Sequence, residues 1–209
     1  VVDQKPTDDA VHNFGIRPLP NLESKFVAGN TLVPVKYDGT LVESAPEVRK
    51  NKDKLKELNH KIFLAKRNVD KQRQKEEIKK TRQALAQAIE ETGFVGHSEA
   101  ELLAGWDMFE QNSSSSYFDA EWMFGISAGF DIVIGNPPYI QLQNNGGELA
   151  KLYEKCGYST FARTGDIYCL FYERGWQLLK KGGHLCFITS NKWMRAGYGE
   201  KTREFFATK

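Results

Sequence analysis

The sequence lacks several features that would assign a protein class at once. Its 209 residues include only three cysteines, with no Cys-x-x-Cys pair, and four histidines without ligand spacing. We therefore expect no disulfide framework, reduced and buried thiols, and no metal site. No stretch approaches 18 consecutive apolar residues, so we expect no membrane-spanning helix. The content of 27% charged and 40% apolar residues is that of a globular chain and excludes wholesale disorder.

The net charge of +2 is unevenly distributed along the chain. From Glu47 to Glu91 the sequence contains fourteen Lys or Arg and eight Asp or Glu, so this segment is basic and the remainder is slightly acidic. A local basic segment on a near-neutral protein indicates a polyanion as partner, whereas a merely solvated face is the common state of Lys-rich helices. Both interpretations stay open at this point.

The same segment is predicted to form a helical hairpin. After Pro46 it has neither Pro nor Gly, and its residues are strong helix formers. Apolar residues recur every seven positions and then change phase, first at Val48, Leu55, Ile62 and Val69 and then at Ile78, Leu85 and Ile89. A single helix of this length would span about 68 Å. We therefore expect two helices, the second capped by Asn68 and ended by Gly93 and Gly96.

Beyond four serines at positions 113–116 the pattern changes to alternating strands and helices. Apolar residues 130–134 are typical of a buried parallel strand, which ends at Gly135. The next elements are predicted in the following order: an amphipathic helix from Ile167 that is closed by residues 180–183, a buried strand over 184–189, and a helix over 195–207. Strand, crossover helix and strand form a parallel βαβ unit. With a short strand over 25–29, the sequence predicts an α/β fold with an inserted α-helical hairpin.

The sequence Asn136-Pro137-Pro138-Tyr139 directly follows the first of these strands, at the edge where open parallel sheets bind their ligands. Consecutive prolines stiffen the backbone and lack N–H donors, so we expect the Asn136 side-chain oxygen and the Pro137 carbonyl to face outward. Two acceptors on a rigid frame suit one planar NH₂ group, and Tyr139 offers a flat face to the ring that carries it. The alternative is a rigid turn without a chemical role.

Such a pair of acceptors suits an amine whose lone pair is delocalised into a ring. Accepting both N–H bonds lets the nitrogen pyramidalise and localises its lone pair. The positive charge that develops on the nitrogen during attack is stabilised by the same two oxygens. This chemistry is positioning and electrostatic stabilisation, and it needs no general base.

The residues around this tetrapeptide resemble a known family. Asn136-Pro137-Pro138-Tyr139 is similar to motif IV of amino-group methyltransferases. The wider sequence resembles adenine-N6 DNA methyltransferases of the gamma motif order, in particular the methyltransferase part of fused type IIG restriction–modification proteins. The resemblance extends over the segment entering motif III, the approach to motif IV, motif V and motif VI, at residues 15–32, 129–135, 165–172 and 182–192 respectively.

The resemblance implies a fold and an activity. The fold would be a partial Rossmann-like methyltransferase sheet, with its first part at residues 1–42, the helical hairpin inserted at 43–100 and its second part at 101–209. The activity would be methylation of the exocyclic amine of an adenine that is flipped out of double-stranded DNA. Asn136 and Pro137 would bind the N6 amine within the motif that Pro138 completes, and Tyr139 would stack on the adenine.

The cofactor implied by the resemblance is S-adenosylmethionine, with contacts at Asn30 and Thr31. Asn30 stands where the family has an acidic residue that accepts from the adenine amine of the cofactor. The Gly-containing loop that holds the rest of the cofactor precedes this region in the family's motif order, and this chain, which starts at Val1 without an initiator Met, has no such loop. We therefore expect a piece of a longer, cytoplasmic protein that binds the cofactor weakly or not at all and does not methylate alone. Its partners would be the nuclease, the cofactor half and the target-recognition domain of the parent polypeptide.

Three basic residues are candidates for contact with the DNA backbone. Arg163, Lys192 and Arg195 are predicted in or near loops at the carboxyl ends of the strands, beside the expected pocket. Ordinary surface charge is the alternative explanation for these residues.

Two other functions fit the same residues. The first is a methyltransferase for another planar amine or amide, such as protein glutamine or an RNA base, and the second is a non-catalytic DNA-binding scaffold. A nuclease interpretation of Asp9 with Glu23-Ser24-Lys25 is disfavoured, because the spacing is loose and Lys25 runs straight into a predicted strand.

Overall fold

The computed structural model describes residues 22–35, 45–65, 67–93, 95–110 and 113–209. Asp9 and most of residues 1–42 lie outside the described residues. The chain forms two compact units, which we call the helical unit (Val1–Ala28 and Tyr37–Ser113) and the α/β unit (Gly29–Lys36 and Ser114–Lys209). The predicted division by homology at residues 42 and 100 stays a prediction.

The helical unit contains the predicted hairpin. Helices α1 (Pro46–Leu64) and α2 (Asn68–Glu91) pack against each other. Their buried apolar side chains include three residues of each sequence repeat together with Leu58 and Ala86, namely Val48, Leu55, Leu58 and Ile62 in α1 and Ile78, Leu85, Ala86 and Ile89 in α2. Because burial of each such side chain contributes about 1.5–3 kcal/mol, this seam is the main source of stability of the hairpin.

The start of α2 differs from the prediction. Asn68 is the first residue of the helix rather than its cap, and Arg67 at the cap position makes no side-chain capping bond to the helix. Val69 is 79% exposed, so it does not continue the stripe of α1. The reason is that the chain leaves the helix at Ala65, which resets the helical phase before α2 begins.

A third helix, α3 (His97–Gly105), packs on α2. The chain turns between the two helices at Gly93, whose φ of +71° lies in the left-handed region and ends α2 as predicted.

The strand predicted over residues 25–29 is wrong. Leu22–Lys25 form a 3₁₀ turn, and of residues 25–29 only Gly29 makes a bridge, an isolated parallel one with Ser115; both residues belong to the α/β unit.

The α/β unit consists of short helices around two parallel strands. The elements are α4 (Ala120–Phe124), β1 (Phe130–Gly135), α5 (Glu148–Glu154), α6 (Tyr168–Gln177), β2 (Leu179–Phe187) and α7 (Glu200–Ala207). The strands pair with Ile132 opposite His184 and Gly135 opposite Phe187. Helix α6 connects them and packs on β2, which confirms the predicted α/β class and the parallel β-helix-β unit.

Two boundaries in this unit were wrong. Residues 180–183 belong to β2 and not to the end of the preceding helix, which stops at Gln177. Lys180 forms an ion pair with Asp131 of β1, and a Cβ on Gly183 would lie within 3.0 Å of the carbonyl oxygens of Phe130 and Asp131. Both contacts are made across the strand pair, which explains why Lys180 and Gly183 belong to β2 and not to a helix end. The last helix begins only at Glu200, because short 3₁₀ turns occupy Lys192–Met194 and Gly197–Gly199.

The two faces of the sheet differ in burial. Leu185 and Phe187 of β2 contact α6 at Gly175, whereas Ile132 and Ile134 of β1 are 61% and 74% exposed. The expectation of a buried strand is therefore wrong for this face of β1, since within the described residues α6 covers the other face only.

The three cysteines differ in exposure. Cys169 is buried, Cys156 is half-buried and Cys186 is exposed, so the expectation of buried thiols fails for Cys186.

The core of the α/β unit lies beside the sheet. It joins the loop at Leu32 to the segment after β1, to α5 and to α6, through the buried side chains of Leu32, Leu142, Ala150, Tyr153, Tyr158, Ile167 and Leu170.

In the described ranges, no helix is both long enough and apolar enough to cross a membrane.

Candidate functional site

The Asn-Pro-Pro-Tyr motif, Asn136 to Tyr139, leaves the sheet at the carboxyl end of β1. Pairing of the strands continues up to its first residue, because the Ile188 N–H donates to the Gly135 carbonyl over 3.1 Å. Pro137 is buried, whereas Asn136 and Pro138 are exposed. The buried proline anchors the motif, and its neighbours face solvent at the edge of the sheet.

The acceptors of the motif are unengaged. Within the described part of the chain, neither the Asn136 side-chain amide nor the Pro137 carbonyl makes a hydrogen bond. The Asn136 amide is exposed, whereas Pro137 is buried, so the outward orientation of the Pro137 carbonyl stays a prediction.

Tyr139 lies beside these acceptors with 54% of its surface exposed. Its hydroxyl donates to the carbonyl of Ile188 over 3.3 Å, and its ring centroid lies 5.7 Å from that of Tyr168 at an interplanar angle of 58°. The ring is thus held at one edge and from one side, and the rest of its surface is accessible to a planar ligand.

The loop at Asn30 and Thr31 is held by contacts within the α/β unit. The Asn30 Oδ1 accepts from the Leu32 N–H over 3.2 Å, and its Nδ2 donates to the Tyr153 hydroxyl over 3.2 Å. Burial raises the pKa of that hydroxyl, so Tyr153 stays neutral. The Asn30 amide is thus occupied by contacts within the unit, and the role of Asn30 and Thr31 in cofactor binding stays a prediction.

Arg174, which sequence reasoning did not single out, holds this loop from α6. Its Nε donates to the Thr31 carbonyl and its Nη2 to the Phe118 carbonyl, each over 2.8 Å. The side chain is buried, and this burial lowers its pKa. A guanidinium presents several donors in a fixed plane, which explains how one side chain fixes two separate segments.

The neighbouring Glu173 holds a second loop. Its carboxylate accepts from the backbone N–H groups of Ser159 and Thr160, over 3.1 and 2.8 Å, and from the Ser159 hydroxyl over 3.0 Å. Glu173 and Arg174, two buried neighbours on α6, therefore each hold a different part of the chain against this helix. No signal in the sequence identified these roles, because the partners of both residues are distant in the chain.

Two of the three predicted DNA-binding residues lie in one cleft. Lys192 and Arg195 are exposed and line a cleft of about 570 Å³, together with Asn191, Met194, Ala196 and Tyr198. In the described ranges no carboxylate pairs with either cation. Arg163 is also exposed, but it lies in the turn before Gly165 and does not line this cleft.

A metal centre is not apparent at this site. The described residues contain no group of three or more His, Cys, Asp or Glu that could hold a metal ion.

Comparison with known proteins identifies the family. Residues 37–209 match the family described as Eco57I restriction-modification methylase. The matched segment includes the hairpin, the Asn-Pro-Pro-Tyr motif and the cleft, and it confirms the resemblance to restriction–modification methyltransferases.

Individual relatives align with shorter stretches of the chain. It is 38% identical over 76 residues to the type II methyltransferase M.BstVI of Geobacillus stearothermophilus, which covers 36% of this chain and 13% of that protein. It is 34% identical over 84 residues to the type II restriction enzyme and methyltransferase RM.Eco57I of Escherichia coli, covering 37% and 8%. For the type II methyltransferase M.BanIII of Aneurinibacillus aneurinilyticus, the identity is 33% over 131 residues, covering 58% and 21%. The chain thus spans only a small part of the length of these relatives, and no solved structure matches it significantly.

Proposed function

Because this chain belongs to the Eco57I restriction-modification methylase family, we propose that it is part of an adenine-N6 DNA methyltransferase. The motif that acts on the target adenine is formed by Asn136, Pro137, Pro138 and Tyr139. The observation that carries this proposal is the pair of unengaged acceptors at the carboxyl end of β1, next to a half-exposed aromatic ring.

The motif acts on the nitrogen that is methylated. The Asn136 side-chain oxygen and the Pro137 carbonyl each accept one N–H of the adenine amine, so the lone pair turns away from the ring and toward the methyl donor. Transfer of the methyl group would break its bond to the donor's sulfonium sulfur and leave the nitrogen positive, and the two oxygens would stabilise that charge until the nitrogen releases one of its protons to solvent. By analogy with a preorganised donor in an oxyanion hole, one such acceptor lowers the activation free energy by about 3 kcal/mol.

The frame supports this chemistry because it does not relax. Pro137 is buried, and Pro138 fixes the backbone between the acceptors and the aromatic ring. Tyr139 stacks on the adenine, which has to leave the duplex because its amine is otherwise hidden in the base stack.

The methyl donor of the proposal is S-adenosylmethionine, which supplies an electrophilic methyl group when bound. Asn30 and Thr31 form one edge of its site, and other parts of a longer polypeptide provide the remainder. The small share of the relatives' length covered by this chain supports such a division. The same polypeptide carries target recognition and a nuclease and acts on DNA in the cytoplasm.

The DNA backbone is bound by Lys192 and Arg195 in the cleft, with Arg163 as a further contact. The support is that both cleft cations lack carboxylate partners in the described ranges and so are available to phosphates. The cleft is lined by Tyr198, whose hydroxyl contacts Tyr168 beneath the motif, so the cations lie near the target base.

The test is the chemical identity of the methylated product. The full-length protein that contains this chain is incubated with labelled S-adenosylmethionine and duplex DNA, and the digested nucleosides are separated by mass spectrometry. We expect label in N6-methyladenine. Label in a cytosine derivative would contradict the adenine assignment. Transfer to RNA or to protein glutamine, with none to DNA, would favour the other amine and amide methyltransferases, and no transfer to any of them would favour a scaffold.

A further inference from the structure

Tyr168 forms the support beneath Tyr139. It is the first residue of α6, its side chain is fully buried, and its ring lies 5.7 Å from that of Tyr139. Among the described residues, the hydrogen bond to the Ile188 carbonyl, at 3.3 Å, is the only one that the Tyr139 side chain makes. The plane of the Tyr139 ring therefore depends on how the Tyr168 ring is held.

A second hydroxyl group holds Tyr168 at its far end. The Tyr168 hydroxyl lies 2.8 Å from the hydroxyl of Tyr198, and either of the two can be the donor. In both cases the bond fixes the rotation of the buried ring.

Both hydroxyls keep their protons. Burial raises the pKa of Tyr168 and of Tyr198 above the ordinary tyrosine value. The hydrogen bond between the two hydroxyls is thus intact across the neutral pH range. Tyr198 also lines the cleft of Lys192 and Arg195, which is open to solvent.

We propose that Tyr168 is a positioning residue, held by the hydroxyl of Tyr198, that sets the orientation of Tyr139 for stacking on the target base. This inference rests on the proposed function, because it assigns Tyr139 to the base. Tyr168 does not touch the substrate, and all of its effect passes through the ring of Tyr139. Small displacements of a group that orients a reactant lower the rate strongly, by up to about 100-fold for 1 Å.

The experiment is a double-mutant cycle in the full-length methyltransferase, with kcat and KM for DNA measured for each variant. Tyr168→Phe removes the hydroxyl bond and keeps the ring, whereas Tyr139→Ala removes the ring that is positioned. We expect Tyr168→Phe to lower kcat by about tenfold or more and to change the rate less than about twofold when Tyr139 is already alanine. Tyr198→Phe is expected to reproduce the loss of Tyr168→Phe.

The matched control is Tyr172→Phe, on the same helix, which loses a hydroxyl contact with Thr189 instead. Its ring contacts do not include Tyr139, so its kcat is expected to stay near that of the wild type. The positioning role is overturned if Tyr168→Phe lowers the rate equally with and without the Tyr139 ring, or if neither Tyr168→Phe nor Tyr198→Phe lowers kcat. If Tyr139→Ala itself leaves methylation unchanged, the proposed function of that ring fails instead.

Discussion

Arg174 is a buried cation whose hydrogen-bond acceptors are two backbone carbonyls. Truncation to alanine would leave the Thr31 and Phe118 carbonyls without their donors, and an unpaired buried polar group costs about 1–3 kcal/mol. We expect Arg174→Ala to lower the free energy of unfolding of the α/β unit by at least about 2 kcal/mol, measured by urea denaturation.

The control for this prediction is Arg163→Ala, which truncates an exposed arginine of the same unit. It should change the free energy of unfolding by less than about 0.5 kcal/mol. Equal effects of the two substitutions would show that the buried network contributes nothing specific.

Individual residues of the site differ in how well sequence predicts them. The exposed, proline-fixed motif was predictable because its signal is local: an apolar run, a glycine and two prolines in order. The supports were not, because Arg174 bonds to a carbonyl 143 residues away and Tyr168 to a hydroxyl 30 residues away. Such contacts are created by the fold and leave no periodic signal.

At the scale of elements, one charged cluster joins α2 to α3. His97, the first residue of α3, has Nδ1 within 2.5 Å of a carboxylate oxygen of Glu90 and Nε2 within 3.3 Å of one of Glu101. The hydrogen bond to Glu90, its charge and that of Glu101 raise the pKa of His97 above the ordinary value. Protonation of the ring therefore stabilises the junction between the two helices.

This raised pKa predicts a pH-dependent stability of the helical unit. The contribution is fully present below the ordinary histidine pKa of about 6.5 and is lost as the pH rises through the higher pKa of the folded state. We expect the difference in melting temperature between wild type and His97→Gln to be largest near pH 6 and to shrink at alkaline pH. A difference that is constant over this range would contradict the assignment.

The elements also show where sequence periodicity is reliable. The seven-residue repeat predicted the hairpin because burial of one stripe is what stabilises long helices. The β2 boundary was missed because Lys180–Gly183 resemble a helix end, where cations and glycine are favoured. In the fold, Lys180 instead pairs with Asp131, and Gly183 admits the neighbouring strand.

At the scale of the whole molecule, the cations of the cleft predict a salt dependence of DNA binding. Each phosphate contact releases condensed counterions, so loss of one contact lowers the slope of log K against log salt by about 1. We expect Lys192→Ala and Arg195→Ala each to lower this slope in the full-length protein. Lys151→Ala, an exposed lysine of α5 outside the cleft, is the control. Unchanged slopes for both cleft variants would exclude phosphate contacts there.

The residues that we assign to the target amine, their buried supports and the basic cleft all belong to the α/β unit. The face of β1 with Ile132 and Ile134 is open in the described chain, and the family match extends over both units. For the α/β unit we therefore propose one role at the amine, in which Asn136 and Pro137 accept its two hydrogens.

The most direct test is the rate of methyl transfer by the full-length protein with Asn136→Ala. Loss of one preorganised acceptor is expected to lower kcat by at least about 100-fold, with DNA affinity little changed. Asn144→Ala, an exposed asparagine outside the motif, should retain the wild-type rate. A kcat for Asn136→Ala within about threefold of the wild type, small against the 10²–10³ expected, would contradict the account.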